Sequence, residues 1–269
     1  MSDKEQQQGE ASHPGAGGPQ QSGPPQGGRP GAPPAGGPPA GIDPSKKRIM
    51  VSQGFIAFQC YKMDREWRRL DAGTKKRQVD QFVAAVNESA KGLKHFAAFS
   101  TAGLKADVDF MLWAKATHID ALHELALAQR ATELSKWMDL SRNYLAMLKG
   151  SPYDQEDKIF KPAEYYKYLF IYPFVKTRQW YLLPIEERMR IMRGHIDMGA
   201  AYPMVKINTS YSFGVDDQDF VVAFESNEAD KFVNLVQELR ETESSLFTVR
   251  DTPMYVGVQM PLADLLATF

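Results

Sequence analysis

After residue 45, segments with the hydrophobic pattern of strands alternate along the chain with segments that have the hydrophobic spacing of helices. Short runs rich in aromatic and β-branched residues, at 54–61, 110–114, 168–172 and 220–224, are typical of strands. Longer stretches with apolar residues three or four positions apart follow them and predict amphipathic helices. In each half the order is strand, helix, strand, strand, helix, and a last strand is expected near Met254. This order predicts an α+β fold.

The two halves repeat each other. Asp109 matches Asp219 at an offset of 110 residues, and Trp67 matches Trp180 at an offset of 113. Each half, 46–150 and 151–269, therefore predicts a ferredoxin-like unit in which helices cover one face of an antiparallel sheet. Two such sheets can close into a barrel of the dimeric-α/β-barrel type, which removes exposed strand edges.

Residues 1–45 differ in composition from the rest of the chain. Between residues 9 and 41 nearly every position is Gly, Pro, Gln, Ala or Ser, and no large aliphatic or aromatic residue occurs in this stretch. Such a segment buries too little apolar surface to offset its conformational entropy. We predict a disordered tail that acts as a solubilising extension, with a partner tether as the alternative.

Composition excludes several classes of protein. The chain has 269 residues, 43% of them hydrophobic, and a formal net charge of -1, which suits one or two globular domains and argues against a nucleic-acid-binding face. Its apolar runs are shorter than the ~20 residues that span a bilayer, so no membrane span is expected. The single cysteine, Cys60, cannot form an intrachain disulfide, which fits a cytoplasmic protein.

His195 is the most informative residue of the second half, because at the offset of 113 it replaces Phe82 of the first. Pro184 suits the first turn of a helix, and Met189, Met192 and His195 then recur at helical spacing on an apolar stripe. A lone histidine on such a stripe is usually a core residue, with a ligand role as the alternative. One imidazole does not make a zinc site, but it is enough for haem iron.

Nearly all of the chain after the tail resembles the chlorite dismutase-like superfamily, and most closely its coproheme decarboxylases; residues 170–195 are the most specific stretch. The family shows a Tyr-Pro-x-x-Lys strand, here Tyr172 to Lys176, and then Trp-Tyr-x-Leu-Pro-x-Glu-Glu-Arg, here at 180–188. The proximal histidine follows, here His195, after a shorter strand-to-helix loop than in the family. A glycine–aspartate turn at 214–217 is a second match.

The resemblance implies roles for five residues. His195 would be the proximal ligand of haem iron, and Tyr172 the catalytic tyrosine. Lys176 would anchor a propionate, and Lys158 would pair with another one where relatives have an arginine, without the bidentate fork of arginine. Glu243 would accept the Nδ1 proton of the histidine, although a solvated acid on a helix face is the alternative.

The function implied by the resemblance is peroxide-dependent oxidative decarboxylation. Hydrogen peroxide is the oxidant, iron-coproporphyrin III (coproheme) loses carboxyl groups from two propionates, and haem b is the product, so the cofactor is also the substrate. Tyr172 would relay the oxidising equivalent as a phenoxyl radical. The resemblance further implies a porphyrin as the bound partner, a homopentameric ring, and hand-over of the porphyrin by a ferrochelatase.

The distal side of the porphyrin departs from the family. Chlorite dismutases hold an arginine, and many decarboxylases a glutamine, on the strand that here spans 204–211. A one-residue gap leaves Ile207 and Asn208 as alternatives for that position, with Phe174 expected in the same distal pocket. Because neither is an arginine, chlorite decomposition is disfavoured. A chlorite dismutase-like or peroxidase haem enzyme and a non-enzymatic haem-binding or transfer protein remain the alternatives.

Overall fold

The computed structural model describes residues 52–150 and 165–269. The predictions made for residues 1–45 and for Lys158 lie outside these ranges. Both described ranges belong to one compact unit that spans residues 49–269.

Nine strands and six helices make up the described ranges, together with three short 3-10 helices. The strands are β1 Ser52–Met63, β2 His95–Ser100, β3 Phe110–Ala116, β4 Met138–Lys149, β5 Tyr168–Lys176, β6 Val205–Tyr211, β7 Phe220–Ser226, β8 Thr248–Arg250 and β9 Tyr255–Gln259. The helices are α1 Ala72–Ala90, α2 Ile119–Arg130, α3 Arg178–Leu182, α4 Ile185–Ala200, α5 Ala229–Glu241 and α6 Leu262–Ala267. The 3-10 helices are Arg65–Arg69, Leu134–Trp137 and Glu243–Phe247. None of the described helices is long and apolar enough to cross a membrane.

The two halves have the same sheet topology. Strands of the first half lie in the order β4-β1-β3-β2, and those of the second in the order β9-β5-β7-β6. All of these pairings are antiparallel. The predicted α+β class and the two ferredoxin-like repeats are thus confirmed.

The two sheets join at both edges into a barrel. Strand β4 pairs with β6 through Met147 and Tyr211, and β2 pairs with β9 through Phe99 and Gln259. Each half contributes its second and its last strand to these joints, as expected for a repeat related by a pseudo-two-fold axis. Among the described residues, the ring contains β1 to β7 and β9, and β8 adds to β5 outside it. Closure satisfies strand edges that would otherwise be exposed.

Alternation along the strands divides the core into three clusters. The barrel interior receives side chains from both halves, including Phe58, Trp113, Tyr144, Ile171 and Tyr255. The outer face of the first sheet packs under α1, α2 and α6, and the outer face of the second packs under α5. Both helix layers therefore lie outside the barrel.

The outer layers of the two halves are filled differently. In the first half α1 packs Phe82, which is 0% exposed, into the core. In the second half α4 takes the place of α1, and Ile191 is its one buried residue. Met189 and Ile196 on the same helix are 38% and 40% exposed. The second half thus leaves apolar surface open where the first half closes its core.

Candidate functional site

The outer face of the second sheet carries three rows of side chains that cross three strands. Residues paired across antiparallel strands point to the same side of the sheet. The rows are Phe170–Phe224–Ile207, Tyr172–Val222–Thr209 and Phe174–Phe220–Tyr211. The members of the third row are all half-buried. The sheet is therefore open at this end, and we call the space between this face and α4 the cleft.

One face of α4 is turned toward the sheet. Gly199 lies near the end of the helix, and a Cβ atom on it would be 3.2 Å from Ile207 Cδ1 of β6. His195 lies four residues earlier, which is about one helical turn, and so shares this face. The helix begins after Pro184, with acidic residues in its first turn that complement the helix dipole.

His195 is half-buried and is held at one ring nitrogen. Its Nδ1 lies 3.1 Å from Ser244 Oγ on the 3-10 helix after α5. Burial, and secondly the charge of Lys176, lower the pKa of His195 to about 4, so the ring is neutral at neutral pH. In the tautomer with the proton on Nδ1, that N–H donates to Ser244 and the Nε2 lone pair is left for a metal ion.

Ser244, and not the predicted Glu243, is the partner of His195. The Glu243 carboxylate instead accepts two hydrogen bonds from Arg190, of 2.9 and 2.7 Å to Nη1 and Nη2. Arg190 lies five residues before His195 on α4, where it can reach the start of the 3-10 helix. Because consecutive residues of that helix point in different directions, Glu243 faces solvent while the buried Ser244 faces the histidine. The prediction of a Glu243–His195 contact is corrected in this way.

Lys176 lies at the end of β5 and contacts the same 3-10 helix. Its Nζ donates to the carbonyl oxygen of Ser244 at 2.9 Å and lies 4.6 Å from the ring centroid of Trp180 and 5.3 Å from that of Phe174. Burial lowers the pKa of Lys176 to about 8. The ammonium group thus stays mainly charged at neutral pH and also fixes the backbone that presents Ser244 to His195.

Tyr172 lies deeper in the same face of the sheet than Lys176. Its side chain is 6% exposed, and its ring stacks on Phe224 with centroids 5.7 Å apart. Burial, and secondly the charge of Asp251, raise the pKa of the Tyr172 phenol above its usual range. The hydroxyl group is therefore protonated at any physiological pH, in surroundings with little access to water.

The structure separates the two candidates for the distal position. Ile207 pairs with Phe224, lies on the cleft face and is 42% exposed. Asn208 points the other way, into the barrel, where its Nδ2 donates to Glu225 Oε2 at 3.0 Å. Asn208 therefore does not line the cleft, because neighbouring residues of a strand face opposite sides of the sheet.

Two residues at the open end complete the cleft face of the sheet. Phe174, which was predicted for the distal pocket, lies on the cleft face of β5 and meets Phe220 edge to face at 6.4 Å. Thr209 lies in the row of Tyr172 and places a hydroxyl group beside Ile207 on β6. The sequence reasoning missed Thr209, although its odd number, like that of Ile207, assigns both to one side of the strand.

The residues of the cleft fit an iron porphyrin. No group of three or more His, Cys, Asp or Glu side chains that could hold a metal ion occurs in the described ranges. A porphyrin supplies four nitrogen ligands of its own, so one imidazole such as His195 is sufficient. The half-buried aromatic rows offer a flat apolar surface, and a buried N–H on the same helix, Arg188 Nε, finds no partner in the part of the chain that the structure describes.

Comparison with known proteins identifies the family. A family model described as chlorite dismutase matches residues 75–260. A coproheme decarboxylase of Mycolicibacterium smegmatis is 31% identical over 180 residues, which cover 66% of this chain and 78% of that protein. A chlorite dismutase of Ideonella dechloratans is 27% identical over 236 residues, covering 83% of this chain and 82% of that protein.

Solved structures show the same fold. A structure of chlorite dismutase from Candidatus Nitrospira defluvii superposes with a TM-score of 0.74 at 22% identity, and the match covers 81% of this chain and 95% of that one. The family model covers more than half of the sequence, and the architecture agrees with it. The chain belongs to the chlorite dismutase family of haem proteins.

Proposed function

We propose that this protein is a coproheme decarboxylase, which uses hydrogen peroxide to convert two propionates of iron-coproporphyrin into the vinyl groups of haem b. The observation that carries the proposal is the convergence of His195 and Lys176 on Ser244 beside an open apolar face. It brings a neutral metal-binding imidazole and a half-buried cation to one cleft. A substrate that combines iron, a flat apolar ring and carboxylates matches all three features.

His195 would hold the iron through Nε2. The hydrogen bond from Nδ1 to Ser244 Oγ fixes the tautomer and limits rotation of the ring. Bound iron-coproporphyrin would supply the redox chemistry with peroxide, and the protein would supply orientation and electrostatics.

Lys176 would bind a propionate. A charge-assisted hydrogen bond to a carboxylate is stronger than the bond that Nζ now makes to the neutral carbonyl of Ser244. The rings of Trp180 and Phe174 keep the ammonium group partly away from water, which strengthens its attraction to an anion. Lys176 would in this way fix which edge of the porphyrin faces β5.

Tyr172 would carry the oxidising equivalent to the propionate that reacts. Its phenol is protonated and surrounded by apolar side chains, so it can lose an electron and a proton together. The resulting phenoxyl radical would take a hydrogen atom from the β-carbon of the propionate, which restores the phenol. Loss of a second electron from that carbon radical, to the second oxidising equivalent of the peroxide, would break the bond to the carboxyl group, release CO2 and leave the vinyl group. Tyr172 and Lys176 lie on the same strand, two residues before and two residues after Phe174, and the ring of Phe174 contacts the Lys176 ammonium group.

Mass spectrometry of the porphyrin tests this proposal. The protein is incubated with coproheme and hydrogen peroxide, and two successive losses of a carboxyl group are expected, ending at haem b. Tyr172→Phe keeps the ring and removes the hydroxyl group, so coproheme should still bind while decarboxylation collapses. Unchanged coproheme with the wild-type protein would contradict the proposal, as would haem b formation by Tyr172→Phe at the wild-type rate.

A non-enzymatic haem-binding or haem-transfer protein is the second candidate. It is favoured by the cleft face of β6, where the side chains at 207, 209 and 211 are isoleucine, threonine and tyrosine and none is charged. A carrier has no need of a protonated tyrosine beside a lysine on β5. The same assay separates the two functions, because a carrier returns its porphyrin with an unchanged mass.

A further inference from the structure

We propose that Arg188 binds a carboxylate of the porphyrin, an inference that rests on the function proposed above. Arg188 precedes His195 by seven residues on α4. Seven residues make nearly two full turns, so the two side chains leave the helix within about 20° of each other and about 10 Å apart along its axis. With His195 at the iron, Arg188 lies toward the periphery of the ring, where a porphyrin carries its propionates.

One atom of the Arg188 side chain, Nε, has no hydrogen-bond partner within the described ranges. This atom is buried. Buried N–H groups are nearly always paired in native proteins, and an unpaired one is costly. The missing acceptor is therefore expected from outside the described ranges, and a guanidinium group fits a carboxylate.

Arg190, on the same helix, has hydrogen-bond acceptors for all three nitrogen atoms of its guanidinium group. Arg190 donates from Nε and Nη2 to Glu187, and from Nη1 and Nη2 to Glu243. Both of its acceptors lie on the solvent side of α4. Arg188 points toward α3 instead, close enough to Tyr181 for its charge to act on that phenol.

The carboxylate that contacts Tyr181 already accepts two hydrogen bonds. Asp219 Oδ2 accepts a hydrogen bond from Tyr181 Oη at 2.7 Å and another from the backbone N–H of Lys176 at 2.8 Å. Tyr181 and Asp219 thereby connect the helix that follows β5 with the end of β5 itself. Lys176 is held at this connection through its backbone N–H, and the charge of Arg188 acts on Tyr181, which makes both residues candidate cations for carboxylates of the porphyrin.

The recognition chemistry predicts selectivity for carboxylated porphyrins. Arg188 would add affinity for iron-coproporphyrin, which has four carboxylates, and none for iron octaethylporphyrin, which has no carboxylate. Arg188→Gln removes the charge and is tested by absorbance titration of both porphyrins. Arg193→Gln, the same change at an exposed position of α4, is the matched control.

We expect Arg188→Gln to weaken iron-coproporphyrin binding roughly 10- to 150-fold, the effect of a hydrogen bond to a charged group. Binding of iron octaethylporphyrin should be unchanged, as should both affinities of Arg193→Gln. Arg188→Lys, which keeps the charge and loses the fork, should fall between wild type and Arg188→Gln. Unchanged affinity of Arg188→Gln for iron-coproporphyrin, or an equal loss for both porphyrins, would overturn the inference.

Measuring porphyrin affinity and haem b formation separately tests the role of Arg188 independently of the proposed function. Selective loss of iron-coproporphyrin affinity in Arg188→Gln supports the carboxylate contact even if the wild-type protein leaves coproheme unchanged. Conversely, haem b formation by the wild-type protein, together with wild-type affinity in Arg188→Gln, supports the decarboxylase and contradicts the role of Arg188.

Discussion

At the scale of single residues, the hydrogen bond between His195 and Ser244 decides what kind of iron ligand the proposed histidine would be. A hydroxyl oxygen is a weaker acceptor than a carboxylate, so the Nδ1 proton stays on the imidazole. The carboxylate of Glu243, which could draw that proton away, is bound to Arg190. The geometry therefore predicts a neutral imidazole ligand.

Ser244→Ala tests this contact. Without the hydroxyl group, the Nδ1–H of His195 loses its partner and the ring is less well oriented. The frequency of the iron–imidazole band in resonance Raman spectra of the ferrous porphyrin complex should change, and porphyrin affinity should fall roughly 2- to 12-fold, the value of a neutral hydrogen bond. Ser245→Ala is the control on the same 3-10 helix. A band and an affinity identical to wild type in Ser244→Ala would show that the contact has no role.

The ionisation of Lys176 predicts a pH dependence. Burial lowers its pKa to about 8 in the free protein, and a propionate binds the charged form. Affinity for iron-coproporphyrin should therefore be level below pH 8 and should fall as the pH rises above it. Absorbance titrations between pH 7 and pH 10 would measure this, with Lys176→Met as the control that removes the dependence. The same fall in affinity in Lys176→Met would rule out Lys176 as its source.

At the scale of secondary-structure elements, β6 decides the distal side of the cleft. Ile207 pairs with Phe224 and Thr209 pairs with Val222, so both residues lie on the cleft face of β6. Neither side chain is charged. Lys206 lies on the other face, 3.5 Å from Glu225 Oε2. The cation that chlorite dismutases hold on this strand is thus missing from the cleft side of β6 in the described structure.

The uncharged cleft face of β6 predicts that the protein decomposes chlorite slowly or not at all. Without a distal cation to hold the anion and its reaction product, oxygen evolution from chlorite should be absent, or slow and soon self-inactivating. An oxygen electrode measures it directly on the porphyrin-loaded protein. Sustained rapid oxygen evolution would contradict the orientation of β6 and the decarboxylase proposal together.

The sequence predicts elements better than it predicts contacts. The motif from Tyr172 to His195 located β5 and α4, and strand parity placed Tyr172 and Phe174 on one face. The choice between Ile207 and Asn208 could not be made, because a shift of one residue reverses the face of a strand. That choice depends on pairing with β7, which lies beyond the local pattern.

The contact of Ser244 was missed for a similar reason. Glu243 and Ser244 are adjacent, and the direction in which a 3-10 helix leaves α5 determines which one faces His195. The spacing of Arg188 and His195, seven residues on one helix, was present in the sequence, but its meaning depends on the buried Nε that the structure shows.

At the scale of the whole molecule, one barrel has two outer helix layers, and these layers differ in how completely their apolar side chains are buried. Internal repetition predicted the two ferredoxin-like halves, and the joints β4–β6 and β2–β9 confirm that they close into a ring. The first half fills its outer layer with Phe82 and its neighbours. The second half has the half-buried His195 at the matching position and leaves Met189 and Ile196 of α4 exposed.

A pair of substitutions measures this difference between the halves. Phe82→Ala removes a fully buried ring and should lower the free energy of unfolding by about 3–5 kcal/mol. His195→Ala, at the matching repeat position, removes a half-buried ring and should cost about 1 kcal/mol or less in the absence of porphyrin. Urea unfolding of both variants measures the two values. Equal losses would contradict the division into a closed and an open layer.

Identifying the iron ligand by resonance Raman spectroscopy tests the proposed role of His195 most directly. Resonance Raman spectra of the ferrous protein loaded with iron-coproporphyrin should show an iron–imidazole band, and His195→Ala should lose it while its far-ultraviolet circular dichroism stays like that of the wild type. The remaining histidines of the chain are unchanged in this variant, so they serve as an internal control. An iron–imidazole band of unchanged frequency and intensity in His195→Ala would contradict the assignment of His195 and the cleft built around it.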